Sequence, residues 1–157
     1  MIAIRWIVTD ELNNVSKEEF DTDWNGIYGY FELTVNGQSI GFCPQRELFE
    51  GEEGDENILY WLTELYKGIQ EISAGREYET QLLSMNLARL VFSCKDGIYV
   101  RLQGKEGSIW SEKVDFNQLK QEVDSAIHSF TEQVREKNPA LLSTKHFQKM
   151  HWIEMKP

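Results

Sequence analysis

The sequence has few of the features that mark membrane, exported or disulfide-bonded proteins. Its apolar runs are only a few residues long, too short to span a bilayer. The N-terminal MIAIRWIVTDE lacks the basic start and longer apolar run of a signal peptide. We therefore expect a cytoplasmic protein, in which Cys43 and Cys94 are small buried hydrophobes and do not form a disulfide.

Motifs for catalysis and for metal binding are also missing. There is no G-x-S-x-G, and the GEEG at residues 51–54 would oppose a phosphate with carboxylates. His128, His146 and His151 have no partner at metal-ligand spacing, since the last two are five residues apart and not four. We expect no enzymatic activity and no cofactor.

Basic residues are scarce in one part of the chain. Residues 10–56 hold thirteen carboxylates but only Lys17 and Arg46, a net charge of −11, while the rest of the chain carries +1. Such a field repels nucleic acid and anionic membranes and attracts basic protein surfaces.

The clearest structural signal is a β-hairpin at residues 26–44. Residues 27–35 alternate between two faces, as in a half-buried strand. Asn36 and Gly37 then form the dipeptide that most readily makes a two-residue type I′ turn, and the chain resumes with Ile40 and Phe42 on one face.

The remaining pattern predicts one more strand before the hairpin and four after it, separated by helices. Residues 56–73 read as an amphipathic helix with Asp55 as N-cap and Gly75 as its stop, and Asp115 caps a second helix that runs to residue 137. The other predicted strands are 2–9, 78–85, 87–94, 98–102 and 108–114. We expect a single domain, residues 1–157, of the α+β class: a curved, mostly antiparallel sheet in the order βββ-α-ββββ-α, with two main helices packed on one face.

One acidic segment matches the calcium-loop pattern of the EF-hand. Asp21, Asp23, Asn25 and Gly26 are followed by Glu32 at the spacing of the last ligand. A true EF-hand continues into a helix, whereas residues 26–35 read as a strand, so we favour an acidic turn. A small calcium-binding or ligand-binding module remains the alternative function.

Two acidic loops concentrate the negative charge: the first acidic loop (residues 10–25) and the second acidic loop (residues 45–55). Apolar residues are interleaved with their carboxylates, namely Leu12, Val15, Phe20, Trp24, Leu48 and Phe49. Such loops are either solubilising surface or a binding surface for a basic protein. On the second interpretation the expected contact residues are Asp21, Asp23, Trp24, Glu47, Phe49, Glu50, Glu52, Glu53, Asp55 and Glu56.

The hairpin GYFELTVNGQSIGF and the helix ILYWLTELYKGI, in a small acidic α+β chain, resemble the bacterial immunity proteins that are encoded beside polymorphic or contact-dependent toxins. The resemblance covers residues 28–72 and carries over no binding residue by position. It implies a non-enzymatic inhibitor that neutralises a cognate toxin domain in a one-to-one complex. The toxin in such pairs is often a nuclease with a basic cleft.

Overall fold

The computed structural model describes residues 1–24, 26–82 and 88–149, with the backbone alone at positions 23 and 24. The strands are β1 (Ile2–Val8), β2 (Tyr28–Val35), β3 (Gln38–Phe42), β4 (Glu56–Asn57), β5 (Tyr78–Gln81), β6 (Arg89–Ser93), β7 (Tyr99–Gly104) and β8 (Gly107–Lys113). The α-helices are α1 (Lys17–Glu19), α2 (Ile58–Ser73), α3 (Phe116–Lys137) and α4 (Lys145–Gln148). The predicted α+β class is confirmed.

The first sheet is built on the predicted hairpin. β2 pairs antiparallel with β1 on one side and with β3 on the other, and β4 pairs with the first residues of β2. Asn36 and Gly37 both have positive φ, 49° and 88°, as a type I′ turn requires. The side chains of Phe31, Leu33 and Val35 are fully buried on one face of β2.

The second sheet contains β5, β6, β7 and β8 in chain order, all antiparallel. Parts of two predicted strands, residues 83–85 and residue 87, lie outside the described residues. The strands form two four-stranded sheets where the sequence predicted one curved sheet. The 16-residue helix α2 connects β4 of the first sheet to β5 of the second. It contacts a strand of each sheet, β2 and β5.

Helix α2 lies close against the second sheet because of Gly68. A Cβ at this position would come within 2.7 Å of the Phe92 ring of β6. Glycine inside a helix costs about 1 kcal/mol relative to alanine, but here it permits close packing of helix on sheet. One hydrophobic core then draws residues from both sheets, α2 and α3.

The helix ends confirm one predicted cap and correct another. Asp115 accepts the N–H of Gln118 at 2.9 Å, as predicted, and Gly75 with φ 79° follows the end of α2. The predicted N-cap Asp55 is wrong: Asn57 caps α2 by accepting the N–H of Tyr60 at 3.1 Å. Residues 56 and 57 pair with β2 in extended conformation, which delays the start of the helix until residue 58.

In the described part of the chain, no helix is both long and apolar enough to cross a membrane. Cys43 is buried, Cys94 is half-buried, and both are free thiols. Burial raises the pKa of the Cys43 thiol.

Candidate functional site

Three large apolar residues of the first acidic loop are part of the core. Leu12, Val15 and Phe20, which the sequence suggested as anchors for a partner, are buried. The Phe20 ring stacks on Phe147 of α4 with centroids 5.4 Å apart. The side chain of Asn138 donates to the carbonyl oxygens of Leu12 and Val15, at 2.8 Å each. The Phe20 ring and the carbonyl groups of Leu12 and Val15 therefore hold the loop against the C-terminal part of the chain.

Asp21 of the first acidic loop is also engaged within the protein. Its carboxylate accepts the N–H groups of Lys145 and His146, at 3.0 and 2.9 Å, at the start of α4. The bond from the His146 N–H, more than any other contact, holds the pKa of Asp21 below its usual value. The carboxylate thus completes a helix start.

The calcium-loop pattern is not assembled by the described residues. Glu32 lies in β2 and pairs with Arg5 at 3.3 Å, while Asp21 bonds to α4. The side chain of Asp23 and residue Asn25 lie outside the described residues, as does the side chain of Trp24, the expected anchor. Among the described residues no group of three or more histidine, cysteine and carboxylate side chains could hold a metal ion.

The second acidic loop is organised by a network around Glu52, which we call the Glu52 clasp. The carboxylate accepts two hydrogen bonds from the Arg46 guanidinium, at 2.8 and 3.0 Å, and one from the Tyr30 hydroxyl at 2.6 Å. It also accepts the N–H of Phe49 at 2.9 Å. The Glu52 side chain is only 12% exposed. Its contact with Arg46, followed by those with Tyr30 and Phe49, lowers its pKa to about 2.

The loop is seated on the first sheet by close backbone contacts. The Gly54 N–H donates to the Thr9 hydroxyl at 2.8 Å. A Cβ on Gly54 would meet the Gly29 carbonyl oxygen at 2.2 Å. Next along the chain, Glu56 accepts the indole N–H of Trp61 at 2.8 Å. The carboxylates of Glu52 and Glu56 are therefore already used within the protein.

Three aromatic side chains beside the clasp form an aromatic patch: Tyr30, Phe42 and Phe49. Phe49 is 70% exposed and Phe42 is 60% exposed. The Arg46 guanidinium lies 4.6 Å from the centre of the Phe49 ring, and the rings of Tyr30 and Phe42 meet edge to face at 6.1 Å. Contacts through the clasp thus connect the two exposed phenylalanines.

Phe42 was missed by the sequence reasoning, which placed it on the same face as the buried Ile40. Gly41, between them, has φ 82° and approaches the backbone of Phe31 so closely that a Cβ would lie 2.1 Å from its carbonyl oxygen. This conformation breaks the strand alternation. A glycine between two apolar residues of an edge strand was the available signal.

The other predicted contact residues of the second acidic loop, which we call the acidic rim, are Glu47, Glu50, Glu53 and Asp55. All four are exposed. Of the predicted contact residues, Phe49 and the acidic rim are exposed on the second acidic loop, whereas Asp21 is bonded to the start of α4. Phe42, which was not predicted, joins the candidate site through its contact with Tyr30.

Two titratable groups outside the acidic loops, His146 and Tyr78, have a pKa shifted mainly by burial. His146 packs edge to face on Phe20, and its burial lowers its pKa, an effect that Asp21 partly opposes. Tyr78 donates to the buried Glu64, and burial is the main reason that its pKa is raised. His128 is exposed on α3, and His151 lies outside the described residues.

The chain matches no family model, no curated protein sequence and no solved structure.

Proposed function

We propose that this protein is a non-enzymatic inhibitor, an immunity protein, that binds and neutralises a basic bacterial toxin domain. The observation that carries the proposal is the aromatic patch with its acidic rim. Phe42 and Phe49 are exposed, and four exposed carboxylates lie in the same loop as Phe49. Apolar anchors ringed by charge of one sign suit a partner of the opposite sign.

The arrangement around Phe49 supports a binding role because its position is fixed before any partner arrives. Its backbone N–H is held by Glu52, and its ring lies against Arg46. A side chain that is already ordered loses less conformational entropy on binding than a mobile one. The energetic cost of exposing a large apolar ring is then recovered when a partner covers it.

The charge distribution supports the same proposal at long range. The protein's net charge of −10 comes entirely from residues 10–56, which carry −11 while the rest of the chain carries +1. A field of this kind accelerates encounter with a basic cleft, such as that of a nuclease. The contact surface that we propose is narrower than the sequence suggested, since it is centred on residues 42–55.

The test is calorimetry with the protein domain encoded by the adjacent gene, produced in catalytically silent form. We expect a one-to-one complex, and inhibition of the active form of the domain at equal molar ratio. Phe49→Ala should weaken binding by about 2 kcal/mol. Ile109→Ala is the matched control, because Ile109 is 60% exposed on β8 of the other sheet.

Unchanged affinity in Phe49→Ala, or an equal loss in Ile109→Ala, would contradict the proposed surface. Catalytic turnover of the adjacent domain that is unaffected by a molar excess of this protein would contradict the inhibitor function itself.

A further inference from the structure

A polar cleft of about 360 Å³ lies on the second sheet. Tyr99 and Arg101 of β7 line it, on the face opposite to the buried Val100 and Leu102. Ser93 of β6 and Ser111 of β8 contribute hydroxyl groups from the neighbouring strands. The cleft is therefore separate from the aromatic patch and independent of the inhibitor function proposed above.

Arg101 lines this cleft, and one of its donors has no acceptor among the described residues. It is paired with Val91 on one side and with Ser111 on the other. Its Nε atom is closed to solvent, and no hydrogen-bond acceptor reaches it from the described residues. A buried donor without a partner costs about 1–3 kcal/mol of desolvation, so its retention calls for a physical explanation.

A second arginine on the same face shows the contrast. Arg89 of β6 forms an ion pair with Glu79 at 3.0 Å. Neither Arg101 nor Lys95, the other cation of the cleft, has a carboxylate within 4.0 Å in the described part of the chain. The structure thus neutralises one arginine of this face internally and leaves the other available.

We infer that the cleft is a binding site for a small molecule that bears a carboxylate group. The planar guanidinium of Arg101 presents paired N–H donors that match the two oxygens of a carboxylate. The hydroxyls of Ser93, Tyr99 and Ser111, which also line the cleft, supply further donors.

The charges of the cleft favour a singly charged ligand over a doubly charged one. Lys95 and Arg101 are offset by the carboxylates of Glu77 and Asp96, which also line the cleft. The lining is therefore neutral before a ligand arrives. A monoanion leaves it with one negative charge, whereas a phosphate dianion would leave two near Glu77 and Asp96.

The test is a titration of the whole protein, followed by amide NMR, with sodium acetate and, separately, sodium phosphate, at ionic strength held constant with sodium chloride. We expect saturable shifts at Ser93, Arg101 and Ser111 with acetate, and weaker binding of phosphate. Arg101→Lys keeps the charge but removes Nε, and should raise the dissociation constant about tenfold or more. Arg89→Gln, a control that removes a positive charge from the same face outside the cleft, should change the dissociation constant less than about twofold.

Shifts that do not saturate, tighter binding of phosphate than of acetate, or an equal loss in Arg89→Gln would overturn the inference. If Arg101→Lys loses the dispersed amide spectrum of a folded protein, Lys95→Gln takes its place. This variant should raise the dissociation constant for acetate several-fold, and an unchanged constant would count against the site.

Discussion

The first and second acidic loops have similar composition but opposite roles. Both mix carboxylates with large apolar residues. In the first, Phe20 is fully buried and Asp21 holds the start of α4. In the second, Phe49 is 70% exposed, and the Glu52 clasp holds the loop from within. Charge density therefore identifies the acidic region of this protein, but tertiary contacts decide which aromatic rings are exposed to solvent.

The largest expected effect is on the free energy of unfolding, which should fall much more for a substitution in the first acidic loop than for one in the second. Phe20→Ala should lower the free energy of unfolding by about 3–5 kcal/mol, because it leaves a cavity against Phe147. Phe49→Ala should lower it by less than about 1 kcal/mol, since it removes an exposed contact with Arg46. Urea unfolding followed by circular dichroism measures both. Equal losses would mean that the loops do not differ in this way.

The next effect concerns Phe42, which extends the comparison to the edge of the first sheet. Phe42→Ala should raise the dissociation rate of the complex with the proposed toxin domain by an amount equivalent to about 1–2 kcal/mol, with little change in association rate. Surface plasmon resonance measures both rates, with Ile109→Ala as control. A dissociation rate unchanged from the wild type would restrict the anchor to Phe49.

Two triple variants that remove the same number of charges, one in each loop, compare how much each loop contributes to the association rate with the partner. Replacing Glu47, Glu50 and Glu53 of the acidic rim with Gln should lower the association rate about tenfold at low salt, and should flatten its salt dependence. The control replaces Glu11, Glu18 and Glu19, which are exposed in the first acidic loop, and should have a smaller effect. Equal effects would show that total charge matters and its position does not.

A pH measurement tests the internal role of Asp21. Its pKa is lower in the folded state than its usual value of 3.8. The carboxylate therefore stabilises the fold above about pH 4, and this contribution is lost as the pH falls through the lowered pKa. Asp21→Asn should remove this part of the pH dependence of unfolding, measured in urea between about pH 2 and 6. Wild-type and variant curves that run parallel would contradict the assigned role.

For the last test, the addition of calcium, we expect no effect. Millimolar calcium should give no heat in calorimetry and no shift in melting temperature, because Asp21 bonds to α4 and Glu32 pairs with Arg5. Saturable heat that disappears in Asp21→Asn would instead favour the calcium-binding alternative.

Local signals were enough to predict much of the fold. The type I′ hairpin at Asn36, the buried stripe of α2 and the cap at Asp115 each depend on residues within a few positions of one another. The start of α2 was placed too early because the pairing of β4 with Tyr28 and Gly29 comes from a strand far away in sequence. Such pairing leaves no local pattern.

The candidate site was only partly predictable for the same reason. Phe49 and its surrounding carboxylates were found from composition. The burial of Phe20 depends on Phe147, more than a hundred positions later, and the exposure of Phe42 depends on the backbone conformation of Gly41. Sequence composition reports which groups are present, whereas their direction is set by contacts between distant segments.

The second acidic loop has two fixed ends and, between them, a tip formed by residues 47–50. The backbone contact between Gly29 and Gly54 holds one of the ends. A side chain on Gly54 would collide with main-chain atoms of Gly29, and no change of rotamer elsewhere relieves such a collision. Together with Arg46 and Glu52, this contact fixes both ends of the loop. Residues 47–50 lie between these fixed ends, with Glu47, Phe49 and Glu50 exposed, so we expect substitutions there to leave the rest of the fold unchanged.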